Sequence, residues 1–320
     1  MPAVLGVDIA KDSFDVTLLD EAGRKRRRSG RNKTAGFKQL YVWLQQHTPG
    51  QVHVCLEATS VYWEPLAEYL HDQGYQVSVV NPARIKGYSL SQLRRSKTDP
   101  LDGDVIADFC RTQQPKLWQP PSPQQRKLRA LVRHLQALKK SRTQQQNRLA
   151  TCRDPEVKAS IETILGVIEA EMSQIQQRLR DFFDDQPDLK ANKKLLETIP
   201  GIGHKTATHI LAEMYDLDQY DSAKAAAADA GLTASHYRSG TTVRRRSKMS
   251  RMGKAAIRGA LPFPAITAIE HNPLVRQLAQ RLQARGKHNG VIRVAAMRKL
   301  IHLAYGVLKN NQPFDPAFAA

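Results

Sequence analysis

The first hundred residues set short apolar runs and amphipathic runs in an order that few folds accept. Ala3 to Ala10 (AVLGVDIA) and Ser13 to Leu19 (SFDVTLL) read as strands. DEAG at Asp20 to Gly23 is a turn signal between antiparallel partners, after which Arg24 to Ser29 (RKRRRS) forms a third, strongly basic strand. From Thr34 to His47 the apolar positions Phe37, Leu40, Tyr41 and Leu44 keep helical spacing, and Val52 to Glu57 (VHVCLE) returns to a strand. A helix is expected from Tyr62 to Gln73, then a short buried strand at Gln76 to Val80 (QVSVV) stopped by Asn81 and Pro82. A polar, basic segment runs to Lys97, and a last helix closes near Arg111. Three antiparallel strands followed by helix, strand, helix, strand, helix make a mixed α/β sheet covered on both faces.

That last helix opens with SKTDPLDGDVIADF, Ser96 to Phe109, which sets Asp99 and Asp102 three residues apart in its first turn. One reading is structural: Asp99 as N-cap, Pro100 as first helical residue, Asp102 favoured by the helix dipole. The other notes two further acids, Asp8 and Glu57, on strands expected to end beside this helix. A buried carboxylate cluster is costly without a cation. Four convergent carboxylates suit two Mg²⁺ ions, with Mn²⁺ as a substitute, acting on a phosphodiester.

Charge narrows the partner. Against 30 acidic residues stand 49 Lys and Arg, a formal charge of +19, which points to a polyanion and foremost to nucleic acid. No apolar run approaches the roughly 18 residues of a membrane span, and Asp8 comes too early for a signal peptide, so a soluble cytoplasmic protein is expected. Cys55, Cys110 and Cys152 form no CxxC pair and fall in expected strands or helices, so they read as buried thiols.

Pro115 to Pro123 (PKLWQPPSP) is a stiff linker. Beyond it Leu128, Leu131, Leu135 and Leu138 recur at coiled-coil spacing, and Val157, Ile161, Ile164, Ile168, Ile175 and Leu179 repeat the pattern after a break at Asp154 and Pro155. Two long facing helices follow, pairing within the chain or also with another protomer. LLETIPGIGHKTATHILAEM then reads as helix, PGIG hairpin, helix. Gly201 and Gly203 permit the tight turn, and the next helix start, with Lys205, suits a phosphate. A simple turn between packed helices is the alternative.

From Ser235 to Asn310 there are sixteen Lys and Arg against one acid, Glu270. Fifteen uncompensated charges would repel one another without a polyanion. Ser239 lies in this segment between Arg238 and the cluster Arg244, Arg245 and Arg246, with Lys248 and Arg251 following; a hydroxyl among guanidiniums is suited to attack a phosphate. Ser235, Ser247 and Ser250 are rivals, and His236 is a candidate base or a plain surface histidine.

The strand and helix order resembles the ribonuclease H-like fold in its Holliday-junction-resolvase version. Along nearly its whole length the chain also resembles the DEDD transposases of insertion sequences, described as bridge-RNA-guided recombinases. The motifs are GVDIAKDSFDV, CLEATSVYWEPLAEYL, VVNPA, SKTDPLDGDVIADFCR, LLETIPGIGHKTA, AGLTASHYRSGTTVR and VAAMRKLIHLAYGVLK. The resemblance implies a resolvase-like domain over 1–115, a coiled-coil arm over 122–186 and a mainly helical transposase domain over 190–320 carrying a helix-hairpin-helix. It implies a Mg²⁺ site at Asp8, Glu57, Asp99 and Asp102, and Ser239 as a nucleophile forming a covalent phosphoserine. The implied partners are donor and target DNA, a guide (bridge) RNA and further copies of the chain as a dimer of dimers, acting on the nucleoid of a prokaryotic cytoplasm. Arg245 after Arg244, Lys254 after Gly253, and Pro262 and Pro264 depart from the family pattern. The competing functions are a resolvase-like nuclease using water as nucleophile and a non-catalytic architectural DNA binder.

Overall fold

Asn81 and Pro82, which the sequence suggests as a strand stop, also start a helix. The computed structural model describes residues 2–48, 50–92, 99–214, 217, 219–235, 238–239, 243–244, 248–250 and 252–317, with backbone alone at 99–101, 235, 238, 239, 243, 244 and 248. These form two units, Met1–Pro120 and Pro121–Ala320.

The first unit runs β1 (Ala3–Ile9), β2 (Ser13–Leu19), β3 (Lys25–Arg31), α1 (Thr34–His47), β4 (Val52–Glu57), α2 (Glu64–Asp72), β5 (Gln76–Val80), α3 (Pro82–Ser91) and α4 (Asp99–Gln113). Its five strands form one mixed sheet in the order β3-β2-β1-β4-β5. β1 pairs antiparallel with β2 and parallel with β4, leaving the basic β3 at an edge. The period of two sorts the side chains. Leu5, Val7, Phe14, Val16, Val54 and Leu56 pack with Phe37 and Leu40 of α1 and Leu66 and Leu70 of α2. Val4, Leu19 and Cys55 face the other way, against Ile106, Ala107 and Cys110 of α4.

α3 lies within the segment expected only to be polar and basic, where no helix was foreseen. The Asn81 side chain accepts from the Ala83 N–H at 2.8 Å, and Pro82 has its φ preset for a first helical turn. Only Ile85 is buried along it, so no apolar stripe announced the helix. α4 begins at Asp99, one residue before the expected first position, a difference within the usual spread of helix ends. Pro115 and Lys116 accept from the Ser78 hydroxyl, and the Trp118 N–H donates to Val77 O at 2.7 Å, which ties the start of the Pro-rich segment to β5.

The second unit opens with two long helices, α5 (Pro123–Thr151) and α6 (Pro155–Asp184). Asp154 caps α6 by accepting from the Glu156 and Val157 N–H groups at 3.0 Å each. α5 and α6 pack face to face: Leu128, Val132 and Leu135 pack with Met172, Ile175 and Leu179, and Ile161 nearer the turn is buried, whereas Val157 and Ile164 of the expected stripe, and Val167 beside them, are exposed. Cys152 sits in that turn and is only partly covered, correcting its reading as a buried thiol; a helix end offers one packed side at most.

Then follow α7 (Pro187–Glu197), α8 (His204–Glu213), α9 (Ala223–Asp229), the two-residue strands β6 (Ala234–Ser235), β7 (Arg238–Ser239), β8 (Val243–Arg244) and β9 (Lys248–Met249), and α10 (Ala255–Ala260), α11 (Pro262–His271), α12 (Pro273–Ala284) and α13 (Asn289–Asn310). α13 runs through the core, burying Ala296, Met297, Leu300, Ile301 and Ala304. Pro262 separates α10 from α11 as its missing N–H requires.

Candidate functional site

Val4, Gly6 and Asp8 alternate onto the sheet face that α4 covers. A Cβ on Gly6 would lie 2.3 Å from Ala107 N and 2.4 Å from Gly103 O, so glycine alone admits the helix this close. Farther along α4, the Cys110 thiol donates to His53 O at 3.6 Å near the start of β4. The helix therefore runs counter to β1 and β4, and its first turn lies toward their C-terminal ends. Positions 99, 102, 103, 106, 107 and 110 form one helical stripe, so the acid pair extends the sheet-facing stripe by one turn.

At that end the parallel register pairs Val7 with Leu56, which sets Asp8 and Glu57 side by side. Both are half buried, as is Asp102. The side chain of Asp99 lies outside the described residues. Among the described residues no group of three or more His, Cys, Asp or Glu is gathered as a metal site.

Sequence reasoning overlooked two acids on this face. Asp15 pairs directly with Asp8 across β2 and β1 and accepts from the Ser29 hydroxyl. Hairpin register was the signal that could have found it. Asp104 is buried on α4, accepting from Thr17 Oγ1 at 2.9 Å, Lys25 Nζ at 2.9 Å and Arg27 at 3.0 and 2.7 Å. Burial works against its ionisation, but the hydrogen bonds from Arg27, Lys25 and Thr17 outweigh this and hold the carboxyl well below the usual carboxylate range. Asp104 is thus a fastener between α4 and β3, and two charges of the basic strand are consumed by it.

In the second unit the PGIG turn joins α7 to α8. Gly201 has φ +103°, and a Cβ there would lie 2.6 Å from Ala268 Cβ and 2.9 Å from its Cα, so α11 packs directly on the turn. The Asn272 amide donates to Pro200 O at 3.3 Å and fixes the same turn. Gly203 precedes α8, has open space at its Cβ position and supplies no side-chain cap. Lys205 is exposed on the first turn.

Ser239 lies on β7, paired with Val243 of β8, while Arg238 pairs with Arg244. The backbone is therefore a small hairpin with Ser239 at its end. Lys248 lies on β9, paired with Ser235 of β6. Arg245, Arg246, Arg251, His236 and Ser247 lie outside the described residues. One charge of the basic segment is not uncompensated: Lys254 Nζ sits 2.8 Å from Asp229 Oδ2 and donates to Tyr220 Oη and Glu213 O at 3.0 and 2.9 Å. Asp229 lies just before the counted stretch, so the count of one acid within it missed the pair.

Residues 5–153 match the DEDD model of IS110 transposases, described as transposase, and residues 193–280 match the transposase IS116/IS110/IS902 family. The chain is 33% identical over 318 residues to pilin gene-inverting proteins of Moraxella bovis and Moraxella lacunata, covering 97% of each chain. It is 23% identical over 270 residues to the transposase for insertion sequence element IS1111A of Coxiella burnetii, covering 74% of this chain and 70% of the relative. Both halves match in order and the Moraxella likeness spans nearly the full length, so the chain belongs to the IS116/IS110/IS902 family of transposases, DNA recombinases that carry out phosphoryl transfer on DNA.

Proposed function

We propose that this transposase is an RNA-guided recombinase that cleaves and rejoins DNA through a covalent phosphoserine at Ser239, assisted by Mg²⁺ at Asp8, Glu57, Asp99 and Asp102. The observation that carries the reading is the shared level of Asp8, Glu57 and the first turn of α4. All four donors are carboxylate oxygens, the ligand type that Mg²⁺ and Mn²⁺ take, so the residues fit the ion. When bound, it supplies neutralisation of charge on a phosphodiester. The strand order supports a ribonuclease H-like, resolvase-like first unit over 1–115. In the second unit we separate a coiled-coil arm, 122–186, from a transposase part, 190–320.

Ser239 is suited to nucleophilic attack because it stands among arginines in the sequence, Arg238 before it and Arg244, Arg245 and Arg246 shortly after, and guanidiniums stabilise the charge that builds on phosphorus oxygens. The serine Oγ–P bond forms as the P–O bond to deoxyribose breaks; the serine gives up its proton and the departing oxygen takes one up. Attack by a hydroxyl of another strand reverses the step and rejoins DNA, and the gene inversion for which the Moraxella relatives are named agrees with such an exchange. Gly203, Lys205 and the basic segment with Lys248 and Arg251 hold the nucleic-acid backbone, with Gly201 shaping the turn. Exposed Val157, Ile164 and Val167 on the arm support association with further copies, as a dimer of dimers.

Trapping a protein–DNA adduct in Mg²⁺ tests this. Ser239→Ala is expected to abolish the adduct while Ser235→Ala retains it; the opposite pattern overturns the nucleophile. Cleavage without any adduct favours water as nucleophile. Sequencing RNA that co-purifies with the protein tests the guide, and absence of a discrete RNA overturns it.

A further inference from the structure

A cavity of about 220 Å³ opens where the arm helices meet α8, and no part of the proposed serine or carboxylate chemistry uses it. Its floor is apolar, built from Leu135 of α5 with Leu179 and Phe183 of α6, all buried. Its rim is cationic, with Lys139 of α5, Arg180 of α6 and Lys205 of α8.

Like charges do not gather over an apolar floor for stability's sake. Burial, with Lys205 and Arg142 nearby, pushes the Lys139 ammonium below its usual range, which means that its charge is held at a cost in the free protein. Arg180 is steadied by Gln177 Oε1, a neutral partner, and among the described residues no carboxylate pairs with Lys139, Arg180 or Lys205. The flank of α8 that borders the cavity adds His204, Thr208 and His209, and an acid on that side, Glu197, stands 3.6 Å from His204 Nδ1 and, among the described residues, pairs with none of the three rim cations. The cationic rim favours an anion.

A bare phosphate would leave the floor unused. The volume falls below the roughly 300–1,000 Å³ of pockets for drug-sized ligands, which suits one planar ring system. We propose that the cavity takes a single unpaired nucleotide, with its base on Leu135, Leu179 and Phe183 and its phosphate between Lys139, Arg180 and Lys205. A paired base stays in its stack and does not reach such a floor; a bulged or extruded one does. This rests on the reading that the chain acts on nucleic acid, and it adds a structure-selective contact to the sequence-independent hold of the basic segment.

Fluorescence anisotropy with the full chain tests it, using duplexes that are fully paired, carry one bulged nucleotide, or carry an abasic residue at the bulge, each as DNA and as RNA. The bulged nucleotide is expected to bind about tenfold more tightly than the abasic bulge in at least one of the two. Lys139→Met is expected to remove that preference while leaving fully paired binding within about threefold, and Lys139→Arg to retain it. Arg180→Met, at an exposed position, repeats the test without disturbing the core. Equal affinity for the two bulges, or a preference unchanged in the double Met variant, overturns the inference alone. No binding to any of the duplexes overturns both it and the functional reading.

Discussion

Asp104 accepts both arms of the Arg27 guanidinium, from Nε at 3.0 Å and Nη2 at 2.7 Å, and so fastens helix α4 to the edge strand β3. The acid is 79 and 77 residues from its cationic partners in sequence, yet it decides how firmly the helix that bears Asp99 and Asp102 is held. Its side chain is 4% exposed while those of Lys25 and Arg27 are 47% and 51% exposed, so water softens the pairs from one side only.

This arrangement fixes a pH dependence. The folded carboxyl titrates below its unfolded value of 3.8, so its contribution is fully present above that value and is lost as pH falls through the folded one. Asp104→Asn is expected to cost about 2 kcal/mol at pH 7, allowing for the exposed partners. Urea unfolding from pH 7 down to below 4 measures it. The gap between wild type and variant should narrow on the acid side; a constant gap would refute the ionic origin.

Gly6 tests the close approach of α4 to the sheet. Gly6→Ala places a Cβ against the backbone of Gly103 and Ala107, which has no side-chain torsion to yield, so α4 must move. A loss of about 1–3 kcal/mol is expected, together with loss of DNA cleavage. Gly87→Ala is the control: it sits inside α3 with nothing near its Cβ position, and should be neutral or stabilising by up to about 1 kcal/mol. Equal behaviour of the two variants would refute the packing argument.

Much of this was legible in the chain. Alternation in AVLGVDIA and SFDVTLL, and the leucine spacing of the arm, report burial directly, and burial drives those elements. α3 was not legible because a helix with one buried residue leaves no period, and Asn81-Pro82 serves as a strand stop and a helix start alike. The role of Asp104 was hidden for another reason: in DGDVIADF nothing local separates it from Asp102. The distinction lies in Lys25 and Arg27, which only tertiary packing brings near. Ser239 stood out by its flanking arginines, whose pairing across β7 and β8 required the hairpin register.

The thiols give a further check. Cys55 and Cys110 are fully buried between β4 and α4, whereas Cys152 is partly exposed in the arm turn. Alkylation of the native protein by iodoacetamide, followed by peptide mass spectrometry, should modify Cys152 first and the other two only on unfolding. Early modification of Cys110 would mean that α4 detaches readily from the sheet.

Lys254 separates structural from nucleic-acid cations. Held by Asp229, Tyr220 and the Glu213 carbonyl, it links the residues around α8, α9 and α10, so its charge is already answered within the protein. Lys254→Met is expected to lower stability by about 1–2 kcal/mol and to leave the salt dependence of DNA binding unchanged. Lys287→Met, at an exposed position between α12 and α13, should do the reverse, with little effect on stability. If Lys287 neutralises a phosphate on duplex DNA, the slope of log affinity against log salt falls in magnitude by about 0.9. Anisotropy titrations across a salt series, beside urea unfolding of the same variants, read both effects. A changed slope for Lys254→Met at unchanged stability would refute its assignment as a structural cation and return its charge to the nucleic-acid interface.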